Sequence, residues 1–539
     1  MTRTFALSFP VVAWLCLFSG TVASAADTKP NIVFILADDL GYGDVSCYNE
    51  DGKIETPHID RLAANGIRFT DAHSGSAVCT PTRYGFLTGR YAWRSRLKRS
   101  VLNGVSPPLI EKGRMTVASL LKSQGYHTAM IGKWHLGWDF HFKTDARPKS
   151  IPDSFAYDPN KLPIDYTKPV RNGPDTNGFD EYFGICGSLD MNPYVYVENG
   201  HITAAPDRVT ENTEKKFWRK GLTGADFKHI DVMPTFVKRS VQYIERRAKT
   251  GQPFFLYLAL PGPHTPILPV ADFERTTKTN LYGDFVAQCD YHVGEIVTAL
   301  RQAGVLNNTL LVFTSDNGCS PMANFEELKE VGHNPNYIYR GHKADIFEAG
   351  HRVPYIVQWP AAIRPGQVTD ETICLTDALA TVAEQLGVEL PDNAGEDSVS
   401  HLSVLLGKAA ARPLRQATVN HSFDGVFAIR QGDWKLIFNP GSGGWSYPSP
   451  FSDAAVLKTL PRLQLYHLKK DPGETQNRVK DHPEQVQHLT DLMNTYVKQG
   501  RSTPGAPQAN DGETRFQSRV EDQVGGDSGI EYKKENPSQ

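Results

Sequence analysis

Four short apolar runs, at residues 31–36, 128–131, 254–260 and 310–314, do most to limit what this chain can fold into. They lack the polar alternation of a half-exposed strand, which is the pattern of a strand covered on both faces. Helical periodicities lie between them: 59–65 stopped by Gly66, 116–123 followed by Gly125, 237–248, and 285–303. Helices alternating with buried strands predict an α/β fold, a large mixed and mainly parallel sheet flanked by helices. Ligands of such sheets bind beyond the carboxyl ends of the strands. Here the four runs end in Asp38-Asp39, Lys133-x-His135, His264 and Asp316-Asn317. One such cluster has an ordinary explanation, since Asp-Asn-Gly makes a good turn and Asp-Asp a good cap. Four at the same end of one sheet predict a site.

The main unit is expected over residues 26–411 and a smaller α+β unit over 412–500. In the second, Ala428-Ile429-Arg430 and Trp434-Lys435-Leu436-Ile437 flank a Gln431-Gly432-Asp433 turn. With a strand at 465–468 and an amphipathic helix at 483–497, this reads as a small antiparallel sheet plus helix. Residues 501–539 turn polar and charged and are expected to be loose. At the other end, Arg3, the apolar run 9–18 and Ala23-Ser24-Ala25 read as an export signal over residues 1–25. The run is too short to span a bilayer and no later stretch reaches that length, so the chain is expected to be exported, periplasmic or secreted, without a membrane span.

Composition mainly excludes. A formal net charge of -3 argues against a nucleic-acid binder. Past the signal, Cys47, Cys79, Cys186, Cys289, Cys319 and Cys374 form neither a zinc site nor a CxxC pair, and leave room for one or two bridges at most.

One cysteine stands apart. Cys79-Thr80-Pro81-Thr82-Arg83 precedes a helical run at 84–88 and Gly89-Arg90. A structural cysteine at a helix start is the ordinary reading; a reactive one, favoured by the helix dipole and Arg83, is the other. No histidine lies near it in sequence to activate it, and spacing alone goes no further.

This motif resembles the signature of the formylglycine sulfatases of the alkaline phosphatase superfamily. The resemblance runs from about residue 30 to 497, through Ala37-Asp38-Asp39-Leu40-Gly41, Gly132-Lys133-Trp134-His135-Leu136-Gly137, Pro263-His264-Thr265-Pro266, Ser315-Asp316-Asn317-Gly318 and Gly341-His342-Lys343. It implies an alkaline phosphatase-like fold and one calcium ion held by Asp38, Asp39, Asp316 and Asn317, all hard oxygen donors, and by a hydroxyl of the converted Cys79. It also implies that a separate maturation enzyme converts Cys79 to formylglycine. A hydroxyl of the aldehyde hydrate, poised by Asp316 and the metal, attacks the sulfur of a sulfate monoester. Lys133 and Lys343 neutralise sulfate oxygens, Arg83 supports the nucleophile, His264 protonates the leaving alcohol, and His135 takes the proton that expels sulfate.

Three positions depart from the family's pattern: Thr82 where serine is common, Leu189 after Ser188 where a polar partner is common, and His342 where glycine is common. Substrate clues are fewer. Eight Lys or Arg against the single acid Glu111 between Arg83 and Arg114 suit either a polyanion or a solvated loop. Gly443-Gly444-Trp445-Ser446-Tyr447 offers flat aromatic faces for sugar rings or for packing. Sulfated carbohydrate is the expected substrate. The rival readings are a phosphodiester or phosphonate hydrolase of the same superfamily, favoured by two metals, and a sulfated-glycan-binding protein in which Cys79 is never converted.

Overall fold

The structure, a computed structural model, describes residues 29–143, 159–408 and 413–514, with positions 1, 2 and 516. The signal segment, the boundary near Arg412 and most of the tail lie outside the described residues.

The uninterrupted apolar run after Asn31 becomes the strand Asn31–Asp38, central in a ten-stranded sheet. Its side chains alternate between two cores: Ile32, Phe34 and Leu36 on one face, Val33, Ile35 and Ala37 on the other. Burying a large apolar side chain contributes about 1.5–3 kcal/mol, so an unpaired charge at any of positions 32–37 would break the sheet at its centre. Phe254–Pro263 and Thr309–Ser315 pair with it in parallel on either side, and His127–Lys133 and Glu181–Ile185 extend the parallel set. Helices cover both faces. Cys79–Thr88, Val117–Ser123 and Ala378–Gln385 pack on the first core; Pro57–Ala64, Val232–Ala248 and Leu281–Gln302 pack on the second. Val117–Ser123 begins where Thr116 caps it, its hydroxyl accepting from Ser119 N at 3.0 Å.

Antiparallel pairs appear toward both edges and are not legible in the sequence. On one side Tyr355–Gln358 pairs antiparallel with Thr309–Ser315 and with Ile67–Phe69, and Gln367–Thr369 closes the sheet parallel to Ile67–Phe69; Val197–Glu198 and His201–Ile202 close the other side antiparallel. Strands of two to four residues carry too little periodicity to be read.

The C-terminal unit is a four-stranded antiparallel sheet, Thr418–His421, Phe427–Gln431, Trp434–Ile437 and Gln464–His467 in that order, covered by the helix Pro483–Gln499. A buried ionic seam joins it to the large sheet: Arg430 and Arg352 both grip Asp71, and Lys435 Nζ lies 3.1 Å from Glu348 Oε1.

Residues 501–514 depart from the loose segment expected of their composition. Arg501 is buried and donates to the Asp392 and Ala506 carbonyls, Gln508 N reaches Gln499 O at 2.8 Å, and Asp511 N reaches Arg94 O at 2.7 Å. Main-chain hydrogen bonds hold this stretch, and composition does not register them. Among the described residues, no helix is long and apolar enough to cross a membrane. The six cysteines after the signal are all unpaired, so neither of the bridges the sequence left room for forms.

Candidate active site

The strand ends converge. Asp38 is the last residue of its strand and Lys133 the last of His127–Lys133; His264 follows Phe254–Pro263, and Asp316-Asn317 follow Thr309–Ser315. Close packing of the parallel strands requires Gly132, where a Cβ would lie 1.9 Å from the Ala259 carbonyl oxygen. Cys79 opens the helix Cys79–Thr88, with Arg83 one turn along and Gly89 ending it in the left-handed region. Lys343 arrives on a loop anchored by its own N–H to Cys319 O at 2.9 Å. Asp39, His135 and Ala344 hold left-handed φ values of 63°, 53° and 79°. Such backbone costs about 1–3 kcal/mol per residue and collects at functional sites.

Three buried carboxylates face three buried cations. Lys133 Nζ lies 2.5 Å from Asp38 Oδ2, Lys343 Nζ lies 2.7 Å from Asp39 Oδ2, and Arg83 Nη2 donates to Asp316 Oδ2 at 2.7 Å. Asn317 Nδ2 donates to Asp39 Oδ1 at 2.7 Å, and Asp39 N to Asp316 Oδ1 at 3.2 Å. Two oxygens within this cluster, Asp38 Oδ1 and Asn317 Oδ1, have no hydrogen-bond partner. Burial opposes the charge on Asp38, yet Lys133, His264 and Arg83 outweigh it and hold the carboxyl below its ordinary range. At Asp316, burial and the Asp38 charge prevail over Arg83 and raise it. Ligand atoms of Asp38, Cys79 and Asp316 lie within 4.8 Å of one another, as do those of Asp38, Asp39 and His264. Convergent oxygen donors, two of them with open lone pairs, fit one hard divalent cation such as calcium.

The two histidines differ. His135 is fully buried and its Nε2–H donates to Leu102 O at 2.7 Å, which leaves the partnerless Nδ1 as its lone-pair nitrogen. Burial and Lys133 push it well below the ordinary histidine range, so the ring is neutral at pH 7. His264 Nδ1 donates to Thr265 O at 2.5 Å, and its Nε2 lies 3.7 Å from Asp39 Oδ2. Nε2 is therefore the atom able to pass a proton.

Cys79 departs from the reactive thiol that a helix start beside Arg83 suggests. Burial raises it to about 11 against the pull of Lys133 and Lys343, so the unmodified thiol is protonated at neutral pH and a poor nucleophile. The guanidinium of Arg83 is spent on Asp316.

A pocket of about 540 Å³ opens over Cys79, His264 and Lys343. Its wall includes Asp190, Phe217, Arg219 and Phe423, none of them singled out by the sequence, because they come from separate loops and a hairpin of Pro206–Asn212 and Trp218–Gly224. Trp445 stands at its edge, 42% exposed and packed 5.6 Å from the Phe423 ring. Asp345 fixes that loop by accepting from Trp445 N at 2.8 Å and Ser446 N at 3.0 Å.

The basic stretch from Arg83 to Arg114 is largely neutralised inside the protein. Arg94 is fully buried on Asp397, and Arg90 and Arg114 reach Glu111 and Glu396. Glu111 belongs to the stretch itself, whereas Asp397 and Glu396 lie 303 and 282 residues from Arg94 and Arg114 in the chain. Of the three departures, Thr82 is buried and donates to Ser76 O at 2.9 Å, and Leu189 joins the apolar core. His342 packs 5.5 Å from Phe325 and is not among the residues lining the pocket.

Comparison with known proteins agrees with this geometry. The Sulfatase family pattern matches residues 30–388. The chain is 34% identical over 515 residues to an N-acetylgalactosamine-6-O-sulfatase of Bacteroides thetaiotaomicron, covering 86% of this chain and 92% of that one. It is 32% identical over 463 residues to human arylsulfatase A, covering 84% of each. A solved structure from work on the metabolism of multiple glycosaminoglycans by Bacteroides thetaiotaomicron matches at 32% identity and a TM-score of 0.72, covering 87% of this chain and 99% of that one.

Proposed function

The chain belongs to the sulfatase family, and we propose that it is an exported enzyme hydrolysing sulfate monoesters of carbohydrates through a formylglycine made from Cys79 beside one calcium ion. The observation that carries the reading is the grouping of Cys79, which lines the pocket, with the fully buried Asp38 and Asp316. As a thiol, Cys79 is held protonated there and has little nucleophilic use. A maturation enzyme that oxidises the Cβ carbon by two electrons with molecular oxygen, placing a carbonyl oxygen on it and releasing the sulfur as hydrogen sulfide, would give an aldehyde, whose hydrate carries two hydroxyls.

Asp38, Asp39, Asp316 and Asn317 would hold the calcium, which when bound lowers the pKa of a neighbouring hydroxyl and attracts the anionic ester. Asp316 takes the proton of one hydroxyl as its oxygen attacks sulfur. Lys133 and Lys343 shift their ammonium hydrogen bonds from carboxylates to the sulfate oxygens, and Arg83 keeps Asp316 in place. His264 gives its Nε2 proton to the departing alcohol oxygen as the S–O bond breaks. The second hydroxyl then loses its proton to His135 Nδ1; its C–O bond becomes C=O while the other C–O bond breaks, releasing sulfate and restoring the aldehyde.

The test is hydrolysis by matured protein of N-acetylgalactosamine 6-sulfate and 4-nitrophenyl sulfate against bis(4-nitrophenyl) phosphate. Faster release of sulfate is expected. Faster cleavage of the phosphodiester would overturn the reading in favour of the superfamily's phosphoryl chemistry.

A further inference from the structure

Resting on that reading, we propose that Asp190 is a specificity-determining carboxylate that accepts hydrogen bonds from ring hydroxyls beside the scissile sulfate, so that the pocket selects polyhydroxylated esters over flat aryl or steryl ones.

The pocket wall is mostly apolar, through Val78, Val101, Met191, Phe217 and Met322. Such a surface by itself suits an aromatic or steroidal alcohol as well as the apolar face of a sugar. Asp190 breaks the tie. It lines the same cavity as Cys79, His264 and Lys343, and is only 8% exposed. Its Oδ2 is ion-paired with Arg219, whereas its Oδ1 has no partner in the protein. An ionised carboxylate has about four acceptor positions, and a buried one left short of donors costs about 1–3 kcal/mol or more. A substrate hydroxyl removes that cost. A phenyl or steroid ring brings only C–H groups and leaves it standing, which is how a polar group in a pocket rejects analogues that lack its partner.

The carboxylate is rigidly placed. Arg219 Nη1 donates to Asp190 O at 3.1 Å and Arg219 N to the same oxygen at 3.3 Å, so main chain and side chain are clamped together. Tyr194 OH in turn donates to Arg219 O at 2.6 Å, tying the clamp to the hairpin base. At the pocket edge, the Trp445 ring offers a flat apolar surface to the face of a sugar whose edge hydroxyls reach Asp190. Sugar rings present this combination of apolar face and polar rim.

The experiment compares Asp190→Ala and Asp190→Asn with the parent on N-acetylgalactosamine 6-sulfate and on 4-nitrophenyl sulfate. Asp190→Ala is expected to lower kcat/KM at least tenfold more on the sugar than on the aryl ester, mainly through KM. Asp190→Asn, which keeps one acceptor oxygen, should fall between. Equal losses on both substrates would overturn the proposal and leave Asp190 a structural partner of Arg219 or a support for His264. A second readout separates this from the turnover mechanism. In the Cys79→Ser chain, calorimetry with the same sugar sulfate should show at least tenfold weaker binding when Asp190→Ala is added. Unchanged binding would overturn the assignment of Asp190 even where the sulfatase reaction stands, while a binding loss in protein that cleaves neither ester would count against the reaction alone.

Discussion

Replacing Lys133 by methionine removes one cation from the buried cluster while keeping most of its volume. The ammonium sits 2.5 Å from Asp38 Oδ2 and neither side chain is exposed, so the substitution strands a buried carboxylate. Breaking a buried pair in this way costs about 3–5 kcal/mol. Arg83 Nη2 remains 3.6 Å from Asp38 Oδ1 and shares the load, which puts the expectation at the low end, about 3 kcal/mol. In a chain of 539 residues that lowers Tm by about 3 °C. Calcium bound by Asp38 would supply the missing positive charge: at a hundred times its Kd it returns about 2.7 kcal/mol. Thermal unfolding of parent and Lys133→Met, in the same state at residue 79, with and without calcium, checks this. Calcium should raise Tm more in the variant than in the parent, where Lys133 already neutralises Asp38, and zinc should not substitute. An equal calcium shift in both proteins, or none in the variant, would refute Asp38 as a ligand.

Other expectations follow from single side chains. His264→Ala should lower kcat by about 10²–10⁴ on a sugar sulfate, whose alcohol leaves poorly, and far less on an aryl sulfate, in steady-state assays of both. His135→Ala should trap sulfate on residue 79 with either substrate, seen as added mass and a burst of alcohol release before slow turnover; no adduct would mean the two histidine roles are wrongly divided. Asp290, whose carboxylate caps the helix Pro57–Ala64 by accepting from His58 N and Ile59 N, is raised by burial to about 7. Because its folded value lies above its unfolded one, it favours the fold below about pH 4 and progressively loses that contribution up to about pH 7, as much as about 4 kcal/mol in full. Asp290→Asn, which still accepts those bonds, should therefore raise Tm at pH 8 more than at pH 5; the opposite order, in paired melting curves, would contradict the burial argument.

Strand order could not be read from the sequence, but the parallel core could. Runs such as 31–36 and 310–314 have no polar interruption, and their ends carry Asp38-Asp39 and Asp316-Asn317, so one sheet edge collects the charge. What escaped reading depends on contacts between distant residues. Arg94 looks like part of a basic surface until Asp397 is folded against it. The clamp of Arg219 on Asp190 joins a loop to a hairpin, and nothing in either local pattern predicts it. Residues 501–514 look loose because their hydrogen bonds are made by the main chain, to which composition is blind. Cys79 is the instructive case: its place at a helix start suggested a lowered pKa, and full burial among carboxylates gives the reverse.

The mechanism turns on what residue 79 becomes. Mass spectrometry of the peptide containing Cys79, from fully active protein, tests it most directly. The expected peptide is lighter by the difference between a thiol-bearing and an aldehyde-bearing carbon, accompanied by its hydrate, and Cys79→Ser should fold without turning over. An unmodified Cys79 thiol throughout fully active protein would contradict it.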